Sequence, residues 1–99
     1  SIYFDRHQVK DLHGEIIDIG KKEMMLLRLL TERDGETVSR EEMLDLIWGI
    51  DVYPSTRTID NFILNFRKYF EADPKSPKYF HSIRGVGYRF ISNAVDRID

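Results

Sequence analysis

Apolar residues return at Ile59, Phe62, Ile63, Phe66 and Phe70, spaced i, i+3, i+4, i+7 and i+11. That spacing lines one face of an α-helix, so residues 57–71 are expected to form an amphipathic helix seated on a core. Ser55 or Thr56 can cap its start through a side-chain oxygen, with Pro54 just outside. The opposite face carries Arg57, Asp60, Asn61, Leu64, Asn65 and Lys68. Further on, apolar and polar residues alternate over 79–83 and again over 88–91, on either side of Arg84-Gly85-Val86-Gly87. Alternation of that kind reads as two strands folded back through a tight turn, which Gly85 and Gly87 would permit. Arg84 opens the turn, where nothing nearby in the chain can bury it.

The first half is patterned more finely. Residues 2–4, 8–10 and 15–19 read as three short antiparallel strands, the last two joined through His13-Gly14. Gly20 opens a helix running to about Arg33, with Met24, Met25, Leu26, Leu27, Leu29 and Leu30 covering most of its circumference. A helix so apolar is expected at the centre of the core, with Gly35 serving its C-terminal end. Thr37-Val38 can form a brief strand. Ser39-Arg40-Glu41-Glu42 has the spacing of a capping box, in which Ser39 caps the third amide and Glu42 reaches back. The helix it starts runs through Met43, Leu46, Ile47 and Trp48 to Gly49. A loop over 49–54 then separates it from the Phe-rich helix, which makes a helix-turn-helix with a long turn. A second loop, broken by Pro74 and Pro77, leads to the hairpin. Trp48, Phe62, Phe66, Phe70, Ile83, Tyr88 and Phe90 are expected in the core.

Ninety-nine residues suit one domain, read here as 1–99 with its core over 2–92, and six phenylalanines suffice for that core. The chain contains no cysteine, which excludes disulfides and fits a reducing, cytoplasmic setting. No run of about eighteen apolar residues marks a membrane span. The net charge of −2 is poor for a nucleic-acid binder. Its distribution is not: residues 1–54 hold seven Lys/Arg against twelve Asp/Glu, whereas 55–92 hold seven against three. The basic half coincides with the helix and the hairpin.

Arginine and asparagine read phosphates and base edges, and an exposed leucine can touch a thymine methyl. Asp60 can accept from a cytosine amino group, or equally can pair within the helix and fix Arg57. Arg89, on the returning strand, suits an internal ion pair. Enzyme chemistry finds no support. His7, His13 and His81 are scattered without metal-ligand spacing, and Glu41 and Glu42 are adjacent on a helix and point apart. Gly85-Val86-Gly87 is followed by Phe90 where a dinucleotide fingerprint needs glycine. His81 reads as a surface or half-buried residue that could touch a phosphate. No cofactor or metal is implied.

The order of a small sheet, three helices and a terminal hairpin carries three motifs. They are Ser39-Arg40-Glu41-Glu42-Met43-Leu44 with Ile47-Trp48-Gly49, Arg57-Thr58-Ile59-Asp60, and Arg84-Gly85-Val86-Gly87-Tyr88-Arg89-Phe90. Together they resemble the winged-helix DNA-binding effector domain of OmpR/PhoB-type bacterial response regulators, over residues 2–92. The resemblance implies an α+β winged helix-turn-helix that binds double-stranded DNA to control transcription. It implies a recognition helix at 57–71 in the major groove and a wing at 79–91 whose Arg84 enters the minor groove. The DNA contacts it implies, with the reading of the residues, are Arg57, Thr58, Asn61, Leu64, Asn65, Arg67, Lys68, Ser82 and Arg84. Ile50, Asp51, Val52 and Tyr53 would face RNA polymerase. A receiver domain, absent from this chain, would precede it, and two copies would dimerise on a direct-repeat operator. Leu64 and Asn65 stand where the family often has basic residues, and Phe62 where it often has histidine. Weaker phosphate attraction and an altered operator follow. The competing reading is a winged helix that docks proteins without touching DNA.

Overall fold

The computed structural model describes residues 1–49 and 55–92. Strands β1 (Ile2–Tyr3), β2 (Gln8–Lys10) and β3 (Ile16–Asp18) form an antiparallel sheet in the order β1-β2-β3, with a 3-10 turn at Phe4–Arg6. The β2–β3 connection is set by Asp11, whose Oδ1 accepts from the amides of His13 at 2.8 Å and Glu15 at 2.9 Å. Helix α1 (Lys21–Glu32) buries Met24, Leu26, Leu27 and Leu30, as its apolar circumference requires. Helix α2 (Arg40–Ile47) packs on it, and α3 (Thr56–Phe70) packs on α2. Met43 and Ile47 of α2 meet Ile59, Ile63 and Phe66 of α3 in the same core. Trp48 stacks on Phe62 with centroids 5.7 Å apart, joining the end of α2 to α3.

Strand β4 (Thr37–Ser39) does not stand alone. It pairs with β6 (Gly87–Phe90), which pairs with β5 (Phe80–Ile83), giving the order β4-β6-β5. The hairpin is therefore two strands of a three-stranded sheet, in register Val38↔Tyr88 and Ser82↔Tyr88. Phe80 mounts this sheet on α3. Its ring lies 5.5 Å from Phe66, 6.0 Å from Phe70 and 5.1 Å from Phe90. Phe66 and Tyr88 are buried, whereas Trp48, Phe62, Phe70 and Phe90 are half-buried and pack against the core.

Several local expectations change. Ser39 caps α2 by accepting from the Glu42 amide at 3.1 Å, but Glu42 does not reach back. Its carboxylate takes Arg33 at 2.6 Å, because that guanidinium is presented at the end of α1. Ser55 is the N-cap residue of α3 but makes no side-chain capping bond. Helix α1 ends at Glu32, so Gly35 lies past its cap and donates to Phe90 O instead. Gly85 has φ +76 at the turn, but Gly87 does not have positive φ and serves the sheet. A Cβ there would lie 2.0 Å from Val38 O, so only glycine lets β6 approach β4 this closely.

Candidate nucleic-acid interface

Arg57, Asn61, Leu64 and Lys68 recur at i, i+4, i+7 and i+11 along α3, and all four are exposed. They form one straight stripe on the helix surface away from the core. Leu64 is 52% exposed in the middle of that stripe. Arg84 and Val86 are exposed at the wing tip, where the Val86 amide closes the turn on Ile83 O at 2.9 Å. Among the described residues, Arg57, Lys68 and Arg84 enter no ion pair, so their charges remain available to a partner.

The other candidates are placed differently. Asn65 is half-buried, and its Nδ2 donates to Glu23 Oε2 at 2.9 Å. One residue past Leu64 the helix has turned by about 100°, so this side chain points to α1 and not along the stripe. Glu23 is buried, and its charge together with burial, the larger cause, holds the Tyr69 phenol above its ordinary range. Arg67 is also turned inward. Its Nε and Nη2 donate to Phe80 O at 3.1 and 3.0 Å, and Nη2 also donates to Ser82 Oγ at 3.0 Å. Arg67 and Ser82 thus tie α3 to β5. Thr58 is half-buried on the flank of the stripe. Ile50, Asp51, Val52 and Tyr53 lie outside the described residues.

Asp60 does not pair with Arg57 within its own helix but with residues of α2 and β6. Its Oδ1 accepts from Tyr88 OH at 2.5 Å and from Arg40 Nε at 2.9 Å. Burial pushes this carboxyl up, but the bonds from Tyr88 and Arg40 outweigh it and leave the group below the usual Asp range. Burial, with the bond to Asp60, holds the Tyr88 phenol above its ordinary value, and the bond to Asp60 raises Arg40. Arg40 also lies over the Tyr88 ring, 4.9 Å from its centroid. Arg89 forms no ion pair among the described residues, and its Nε is buried without a partner.

One feature of the surface escaped sequence reasoning. A shallow cavity of about 640 Å³ opens beside the wing base, lined by Arg67, Lys75, His81, Ser76 and Ser82 with Pro74 and Pro77. It gathers three side chains able to carry positive charge and two hydroxyls, without a carboxylate. Its signal was Lys75 between two prolines, which reads as plain loop until the strand beside it is placed. His81 Nε2 meets Lys78 O at 2.8 Å, an acceptor, so that nitrogen carries the proton. No group of three or more metal-ligating side chains occurs among the described residues. No helix there is long and apolar enough to cross a membrane.

Three helices, a sheet-mounted hairpin and an exposed helix stripe beside it define a winged-helix DNA-binding domain of α+β class. Residues 14–90 match the family described as "Transcriptional regulatory protein, C terminal". The chain belongs to this family, in its OmpR/PhoB response-regulator branch, a family of transcription regulators and not of enzymes. It is 32% identical to the DNA-binding domain of Bacillus subtilis CssR, covering 92% of this chain and 98% of that one, with a TM-score of 0.73. It is 40% identical to the Thermotoga maritima response regulator DrrB, over 79% of this chain, with a TM-score of 0.69. The match covers 35% of DrrB, about a third of its length. The Klebsiella pneumoniae RstA DNA-binding domain, solved in complex with the RstA box, is 25% identical with a TM-score of 0.67. That match covers 85% of this chain and 82% of RstA.

Proposed function

We propose that this domain reads duplex DNA by laying the Arg57–Asn61–Leu64–Lys68 stripe of α3 in the major groove and Arg84 in the adjacent minor groove. One observation carries the reading: the exposed stripe and the wing tip hold three cations that enter no ion pair among the described residues. Asn61 suits the adenine edge and Leu64 a thymine methyl. Arg84 suits the enhanced negative potential of a narrow A/T-rich minor groove. The RstA complex supports the reading by likeness. In the full-length regulator, the domain would follow a receiver and pair with a second copy on a direct-repeat operator. Ile50, Asp51, Val52 and Tyr53 would face RNA polymerase.

A salt titration with labelled duplex tests this. Log affinity is expected to fall with log salt, with a shallow slope because few phosphates are neutralised. Arg84→Ala is expected to weaken binding by about 1–3 kcal/mol, most on A/T-flanked sites, and to leave the melting temperature unchanged. Binding indifferent to salt, or an Arg84→Ala variant that binds as the parent does, would overturn the assignment.

A further inference from the structure

The two reading elements are joined by a half-buried polar clamp. Asp60 lies on α3 next to Asn61 of the stripe, and Tyr88 lies on β6 just beyond the wing tip. The Tyr88 hydroxyl donates to Asp60 Oδ1 at 2.5 Å, and the same oxygen takes Arg40 Nε at 2.9 Å. Arg40 Nη2 lies 3.4 Å from the Tyr88 hydroxyl, which closes the triangle. Arg40 is the first residue of α2, and its amide points at Val86 O of the wing tip at 3.4 Å. Three pieces of structure therefore meet at one carboxylate oxygen, the start of α2, the first half of α3 and β6, and the tip joins them through the Arg40 amide. The phenol ring is buried in the core, so its position is not free to follow the hydroxyl.

We propose that the Tyr88–Asp60–Arg40 cluster is a positioning device that sets the reach of Arg84 relative to the α3 stripe, so that both grooves are met at once. The proposal rests on the DNA-binding reading above. Packing alone would hold the wing against the core through Phe80 and Tyr88, but apolar contacts tolerate small slides that hydrogen-bond geometry does not. A base-edge contact and a groove insertion on one rigid body need that tolerance removed. Of the three side chains, only the Tyr88 hydroxyl can be deleted without disturbing the ring, the core or the guanidinium stacked on it.

The test is a double-mutant cycle on operator affinity, using Tyr88→Phe with Arg84→Ala, measured well below the melting temperatures. Tyr88→Phe alone is expected to raise Kd about five-fold or more on an A/T-flanked site. In the Arg84→Ala background the same change is expected to cost less than about two-fold, because no wing contact remains to be misplaced. Asp60→Asn, which keeps an acceptor oxygen, should show the same dependence on Arg84 and serves if Tyr88→Phe folds poorly. Equal losses in both backgrounds would overturn the proposal, since a merely structural role is blind to Arg84. An unchanged Kd for Tyr88→Phe would overturn it too. A parent domain that prefers no duplex would instead remove the DNA-binding reading, and this proposal with it.

Discussion

Replacing Glu71 with alanine is expected to cost about 3–5 kcal/mol of folding stability, from charged hydrogen bonds lost and amides left unmet. Glu71 follows the last residue of α3 and is only 3% exposed. Its Oε1 accepts from the Lys78 amide at 2.8 Å, and Oε2 from the amides of Tyr79 and Phe80, each at 2.9 Å. One side chain thus closes the loop between α3 and β5 and fixes where Phe80 enters the core. Alanine leaves three backbone donors without acceptors, one of them buried with Phe80. Glutamine can keep its oxygen on the Tyr79 and Phe80 amides but must turn an NH2 toward Lys78 N, so roughly half the loss is expected from Glu71→Gln. Urea unfolding followed by far-UV circular dichroism measures both. A domain of this length holds a total of about 5–15 kcal/mol, so the alanine variant should lie close to the edge of folding. A loss under about 1 kcal/mol for Glu71→Ala would show that the loop is held by something else.

Gly87→Ala is expected to be almost as damaging, at roughly 3 kcal/mol, the upper end of what overpacking costs. The added Cβ would lie 2.0 Å from Val38 O, 2.8 Å from Ser39 Cα and 2.9 Å from Val38 C. All three are backbone atoms, so β4 must move off β6, and the Ser39↔Gly87 pairing goes with it. Gly85 provides the internal comparison. Its φ of +76 strains any other residue, but its Cβ would meet nothing within 4 Å. Gly85→Ala should therefore cost only about 1–2 kcal/mol, the dihedral penalty alone. Unfolding of the two variants side by side separates close approach from backbone conformation. A larger loss at Gly85 than at Gly87 would contradict the structure of the β4–β6 contact.

Much of this architecture was legible because its causes are local. The i, i+3, i+4, i+7 spacing of Ile59, Phe62, Ile63 and Phe66 defines α3 on its own, and Ser39 caps an amide three residues away. What could not be read is what depends on partners distant in sequence. Asp60 meets Arg40 twenty residues back and Tyr88 twenty-eight ahead, so both readings made from its own helix missed them. Glu71 binds backbone amides, which every residue but proline offers, and sequence carries no signal for that choice. Asn65 and Arg67 belong to the polar half of α3 but flank the exposed stripe, where α1 and β5 claim them. The exposed part of the polar face is therefore narrower than the helical period alone implies, and the proposed interface is Arg57, Asn61, Leu64 and Lys68 with Arg84.

Selection of duplexes from a random pool tests that narrowed interface most directly. The parent domain is expected to enrich one defined sequence beside an A/T-rich flank. Asn61→Ala with Leu64→Ala should abolish the defined sequence, Arg84→Ala should abolish only the flank preference, and Asn65→Ala should leave the enriched sequence as the parent selects it. A pool that emerges unselected with the parent, or the same enriched sequence with the Asn61→Ala, Leu64→Ala variant, would contradict the assignment of the α3 stripe as the reading surface.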